Sequence, residues 1–218
     1  MSQLRTRSLL LLLPLVAACA PAAARPAPPA PAAAVLPDSA LRAELVAMGE
    51  RDQALRDEMT ALLIPAGPER PDSAAVARSV ARVDSADRVH AARLREIVSR
   101  RGWPTRAQVG RDGAEAVFLV VQHASHDGDL QRRYLEHLAA TFRENDRATG
   151  EAIALLTDRM RVTEGKPQLY GTQVTVQGRE VVVDPMEDPA GVDQRRAKLG
   201  LPPLEEYLKR LKAAYGLP

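Results

Sequence analysis

Residues 38–63 read DSALRAELVAMGERDQALRDEMTALL, and residues 72–101 read DSAAVARSVARVDSADRVHAARLREIVSRR. In the first stretch Leu41, Leu45, Met48, Leu55, Met59 and Leu62 recur at alternating spacings of four and three, the mark of one apolar helix face. The face passes through a single polar residue, Asp52. Asp38 or Ser39 is placed to cap the helix start. The second stretch carries Val76, Val80, Val83, Asp87, His90, Leu94 and Ile97 at the same spacings and stops before Gly102. Pro65, Gly67, Pro68 and Pro71 separate the two runs. Two long helices joined by a short turn pack antiparallel. Their midpoints then face each other, which sets Asp52 within a turn or two of Asp84 and Asp87.

Working outward, Trp103-Pro104 breaks the chain, with Trp103 expected as a core plug. A third helix is expected from Asp112 or Gly113. Its residues 114–121 are apolar all round and run into Gln122-His123-Ala124-Ser125-His126-Asp127. Further helices are expected over residues 130–145, 151–160, 188–199 and from Pro203. The period changes to two over residues 169–176 and 179–183, around Gln177-Gly178, which signals a β-hairpin. The fold class is therefore mainly α, a helical bundle-like domain with one small β-hairpin near residues 168–184.

Toward the N-terminus the chain reads as an address. Arg5 and Arg7 precede an apolar run from Leu9 to Ala18, too short for the roughly 20 residues that span a bilayer. That is the signal-peptide pattern. Val16-Ala17-Ala18-Cys19 resembles a bacterial lipobox, which makes residues 1–18 a lipoprotein signal peptide and Cys19 the lipidation site. Several acyl chains anchor stably where one is marginal. Ala20, not Asp, follows the cysteine, so the expected place is the outer membrane facing the periplasm if the host has two membranes. Residues 19–37 are rich in Pro and Ala and read as an extended tether. Residues 38–218 form a single domain.

Composition narrows the function. The chain has 218 residues, one cysteine, a formal charge of +2 and 3% aromatics. One cysteine excludes a disulfide framework and multi-thiolate zinc sites. The charge excludes a polybasic nucleic-acid binder, and the aromatic content excludes base stacking as a main mode. Removing the leader takes Arg5 and Arg7 and no acid, so the slight basicity belongs to the leader. The partners expected are the membrane, through the anchor, and a small molecule or envelope protein.

Several strings are shared with one family. They are Asp52-Gln53 with Arg56, Gly102-Trp103-Pro104, Val109-Gly110 with Gly113, Gln122-His123-Ala124 with Asp127 and Gln131, residues 156–159, residues 170–173, and Asp193 with Arg195-Arg196 before Gly200-Leu201. Their order and spacing over residues 45–210 resemble the uncharacterised bacterial domain-of-unknown-function family numbered six-six-two-four. The resemblance supports the domain limits and brings no reaction. Relatives often carry an acid where this chain has Ser125, which weakens any role for that position.

His123 and Asp127, four apart, are expected to share one helix face. With Asp87 and His90 on a second helix and Asp52 on a third, they form a candidate divalent-metal set, since imidazole and carboxylate suit Zn, Fe or Mn. The competing expectations are a buried hydrogen-bonded layer that fixes helix register, and plain solvation. There is no HExxH or Glu-x-x-His motif. His123 as base with Asp127 or Asp158 as orienter is the catalytic candidate, but neither Ser125 nor Thr157 stands in a nucleophile-elbow setting. Tyr170 and Gln173 on a predicted strand, and Arg196, are candidate ligand-binding residues. For them the plainer readings are a hairpin edge with a glycine bulge and a solvated arginine. His126 and His137 are expected at the surface or internally satisfied. The function expected is a lipid-anchored envelope binding or interaction module with a polar pocket around His123, Asp127 and residues 170–173. The alternative is an envelope enzyme, metal-dependent or an acid–base hydrolase, using His123 and Asp127.

Overall fold

The computed structural model describes residues 37–63, 72–143, 146–177 and 180–214. The expected signal peptide, Cys19, nearly all of the expected tether, the turn expected at residues 65–71 and the turn expected at Gly178 lie outside the described residues. Among the described residues the architecture is mainly helical with one two-stranded antiparallel sheet.

The first helix, α1 (Ser39–Leu63), is capped by Asp38, whose carboxylate accepts the Leu41 N–H at 2.9 Å. The second, α2 (Ser73–Arg101), starts on Asp72 and ends at Gly102, whose positive φ of 74° suits glycine. Ion pairs join Asp38 to Arg101, Glu44 to Arg93, Asp87 to Arg56 and Glu58 to Arg82. As numbers rise along α1 they fall along α2, so the two helices run antiparallel, as their stripes require.

α3 (Arg106–His123) begins six residues before Asp112, the earlier of its two expected starts. Gln108 Oε1 reaches back to the Thr105 N–H at 2.9 Å, which nucleates a first turn. Gly110, with φ 71° and ψ −177°, then breaks that turn from the main body. α3 packs most extensively on α1, where the Cα of Gly49 lies close against Ala116: a Cβ added at Gly49 would stand 3.0 Å from the Ala116 methyl. α4 (Gly128–Thr141) and α5 (Arg147–Thr163) form a second pair. The shared core contains Leu45, Leu94, Val121, Leu130 and Leu156, all fully buried. Trp103 packs against it, its ring 4.7 Å from Tyr134 and 5.9 Å from His137.

β1 (Val174–Gln177) and β2 (Glu180–Val183) pair in register from Val174↔Val183 to Gln177↔Glu180. The first strand is shorter than expected, because residues 169–173 are a loop. The helix expected over residues 188–199 is a 3-10 turn, Pro189–Gly191, leading into α6 (Val192–Lys198). α7 (Leu204–Ala214) follows. Among the described residues no helix is long and apolar enough to cross a membrane.

Candidate functional site

Asp52 from the stripe of α1 and Asp87 from that of α2 meet at one guanidinium. Arg56, one turn after Asp52, donates through Nη2 to both Asp87 oxygens at 2.7 and 2.9 Å, and its Nε lies 3.3 Å from Asp52 Oδ1. His123, the last residue of α3, brings Nδ1 to 2.9 and 3.0 Å from the Asp52 oxygens and 2.9 Å from Arg56 Nε. One ring nitrogen cannot serve a donor and an acceptor at once. Arg56 Nε has another acceptor in Asp52, so the proton assigned to Nδ1 leaves every charged group with a partner. In the neutral ring Nε2 is then the acceptor. Among the described residues Nε2 has no hydrogen-bond partner, and it is not among the buried unpaired atoms.

Burial alone raises the Asp52 carboxyl. The hydrogen bond from His123, with the Arg56 charge and Gln53, outweighs it and holds Asp52 below the ordinary Asp value. At Asp87 burial prevails over Arg56, and the carboxyl is raised. His90 is buried on α2 with Nδ1 unpartnered, and burial pushes its ring down toward the neutral form.

Beside this network lies a cleft of about 260 Å³ lined by Arg56, Asp87, Arg88, His123, Ser125 and Arg159, among others. His126, exposed, also lines it. A larger groove of about 440 Å³ on the outer side of α1 and α2, lined by Glu50, Arg51 and Arg82, holds no such convergence.

The five residues expected as a metal set are divided. Asp52, Asp87 and His123 come together, with the Arg56 cation between them. Among the described residues no group of three or more His, Cys, Asp or Glu side chains is placed to hold a metal ion. Asp127 stands apart, correcting the shared helix face. α3 ends at His123, and Asp127 caps α4 by accepting the Leu130 N–H at 3.1 Å. Its carboxylate pairs with Arg95, which holds it below the ordinary Asp value. The i,i+4 argument fails because an Asp that captures a backbone N–H starts a new helix.

Residues 170–173 do not line the cleft at His123. They belong to a second polar centre built on Asp158, which is fully buried on α5. Asp158 accepts from the N–H groups of Leu169 at 2.7 Å, Tyr170 at 3.0 Å and Thr172 at 3.0 Å, and from the Thr172 hydroxyl at 2.9 Å. It therefore orients a loop, not His123. Gln173 is buried, its N–H donating to Gln168 Oε1 at 2.8 Å. Arg196 is 1% exposed. It donates to the carbonyls of Tyr170 at 2.6 Å and Pro202 at 2.7 Å, and its guanidinium stacks over Tyr207. The three candidate binding residues are thus engaged in holding the loop together. His137 is half-buried on Trp103 and Tyr134.

Sequence reasoning missed Arg56 as the hub. Its spacing of four from Asp52 was the available signal.

No curated protein and no solved structure matches the chain. A family model described as a family of unknown function, DUF6624, matches residues 37–218. That match spans the whole helical domain, and the chain belongs to this family.

Proposed function

We propose that this chain is a lipid-anchored cell-envelope protein whose helical domain binds a small polar ligand at the His123 cleft. The anchor rests on the leader and on the lone cysteine after Val16-Ala17-Ala18. The binding role rests on one observation: Asp52 holds Nδ1 of His123 at 2.9 Å beside a polar cleft that the same ring lines, an arrangement that in the neutral ring leaves Nε2 as an acceptor. Cys19→Ser should release the protein into the soluble fraction; persistent membrane association overturns the anchor. For the cleft, the informative variant is His123→Asn, whose amide keeps a donor toward Asp52 while deleting Nε2. It should melt near the native temperature and lose ligand binding.

A second reading is an acid–base hydrolase, favoured by the 2.9 Å contact of Asp52 with His123. Here Asp52 takes the orienting role expected of Asp127, and His123 Nε2 serves as general base. Loss of turnover on ester, phosphoester or amide substrates in a folded His123→Asn variant would select it. Turnover unchanged in that variant would remove it.

A further inference from the structure

The charges of the helical domain are sorted by end. Arg5, Arg7 and Arg25 precede it, so residues 38–218 carry one more acid than base. The end at which the chain enters is nevertheless basic. Asp38 donates its N–H to the Gln108 carbonyl at 2.8 Å and pairs with Arg101, which sets the starts of α1 and α3 and the end of α2 at one level. There Asp38 is taken by Arg101 and Asp112 by Arg42. Arg100, Arg106 and Arg111 remain, all exposed. Trp103, stacked on Tyr134 and His137, brings the end of α4 to the same level. Along the sequence from there, Arg143 and Arg147 match Glu144 and Asp146 in number. One turn further in, Glu44 and Glu96 both hold Arg93, and Glu115 follows Arg111 by four residues. The far end of the α1–α2 pair, residues 57–63 and 72–84, has the opposite sign. It carries Asp57, Glu58, Asp72 and Asp84 against Arg78 and Arg82.

Cys19 to Leu36 is a length of chain that spans at most about 60 Å when fully extended. A lipid at Cys19 would keep the domain at an effective concentration of about millimolar over the surface, without fixing which face meets it. Charge selects the face. Each basic side chain brought to an anionic surface shifts the balance about fivefold, and the acidic far end is repelled. We infer that the domain docks by its tether end, through Arg100, Arg106 and Arg111, on the anionic phospholipid surface of the membrane that carries it. The His123 cleft is then held outward, since Arg56, which lines it, stands about 27 Å along α1 from Asp38. This rests on the lipid-anchor reading above and adds a second membrane contact and an orientation.

The test places the full lipidated chain on phosphatidylcholine vesicles with or without about 30% phosphatidylglycerol, an anionic surface in the second case. With Cys19 acylated, Ser99→Cys or Ala77→Cys supplies a lone thiol for a dye. Energy transfer to a headgroup acceptor then reads the height of that dye above the bilayer. Both positions are exposed on α2, about 33 Å apart along the helix. At about 20 mM salt, phosphatidylglycerol should raise transfer from position 99 and not from position 77, and about 0.5 M salt should abolish the rise by screening. Arg100→Gln and Arg111→Gln should each lower the ratio of docked to undocked domain about fivefold. Arg78→Gln, the same charge lost at the far end, should leave it unchanged. All three side chains are exposed, and either tether-end variant alone keeps the test readable if the double variant does not fold. Equal rises at both positions overturn the proposal, as does a rise that survives Arg100→Gln and Arg111→Gln. If the chain floats with phosphatidylcholine vesicles yet phosphatidylglycerol moves neither dye, the docking inference falls and the anchor reading stands. If the chain does not float with phosphatidylcholine vesicles, both fall.

Discussion

Asp52 and His123, 71 positions apart in the chain, meet at 2.9 Å with the Asp52 side chain only 2% exposed. The contact joins the middle of α1 to the last residue of α3, and Arg56 extends it to α2. Removing Asp52 would leave a cation and an imidazole facing each other in a mostly dry site. Asp52→Ala should cost about 3 kcal/mol, the low end for a broken buried ion pair because Arg56 keeps some exposure. Urea unfolding midpoints check this. A loss under about 1 kcal/mol would show the network to be solvated, as surface pairs are.

Acid should weaken the fold. Asp52, Asp127 and Asp146 are held below the ordinary Asp value of 3.8, by His123, Arg95 and Thr149 respectively. As pH falls through that value, the unfolded chain takes up protons that the folded chain refuses, so stability drops. Asp87 has the opposite sign. Its raised carboxyl gives a contribution present at low pH and lost as pH rises through the raised value. Asp38, Glu44, Asp112 and Glu164 are lowered as well, so Asp87 is outweighed. The melting temperature should fall steeply as pH drops through 3.8, after a shallower loss below pH 6.5 from the lowered His90 and His137 rings. Asp127→Asn should flatten that slope. An unchanged slope would discount the Arg95 pair.

Asp158→Asn replaces an acceptor oxygen with a donor NH₂ in front of backbone N–H groups. The expected loss is about 2–3 kcal/mol from buried donors left without acceptors. Hydrogen exchange should accelerate at the amides of Leu169, Tyr170 and Thr172 before the rest of the domain. Uniform acceleration would instead mark global destabilisation.

Gly150 has no room for a side chain. A Cβ there would stand 2.0 Å from the Leu199 carbonyl oxygen, an atom of the backbone. Gly150→Ala forces α5 away from the turn after α6 and should cost about 2 kcal/mol or more by overpacking. Thermal unfolding gives the measure, and a neutral result would show that the turn yields freely.

The long helices were legible because each carries an apolar stripe of local period and local stop signals, Asp72 and Gly102 among them. The buried polar layer was legible for the same reason. Asp52 and Asp87 stand where the stripe demands leucine, so they must meet something inside. The pairing of Asp127 was not legible, since continuing α3 through Ala124 and ending it there differ by one side chain capturing Leu130 N–H. The loop at residues 169–173 reads as a strand by alternation. What decides its shape is Asp158, 11 to 14 residues away, and no local pattern encodes that. Arg196 reads as a surface residue because charge predicts exposure. It is buried because the Tyr170 and Pro202 carbonyls require a donor.

Asp158 and Arg159 are consecutive on α5, and about 100° separates neighbouring residues on a helix with 3.6 residues per turn. One faces the loop at residues 169–172, and the other lines the cleft. α5 therefore works as a keyed shaft cut with two notches. A single-residue deletion upstream on this helix would turn both out of place together. The residue spacing along α5 is consequently under double constraint: a change of length within it cannot keep both Asp158 on its loop and Arg159 at the cleft.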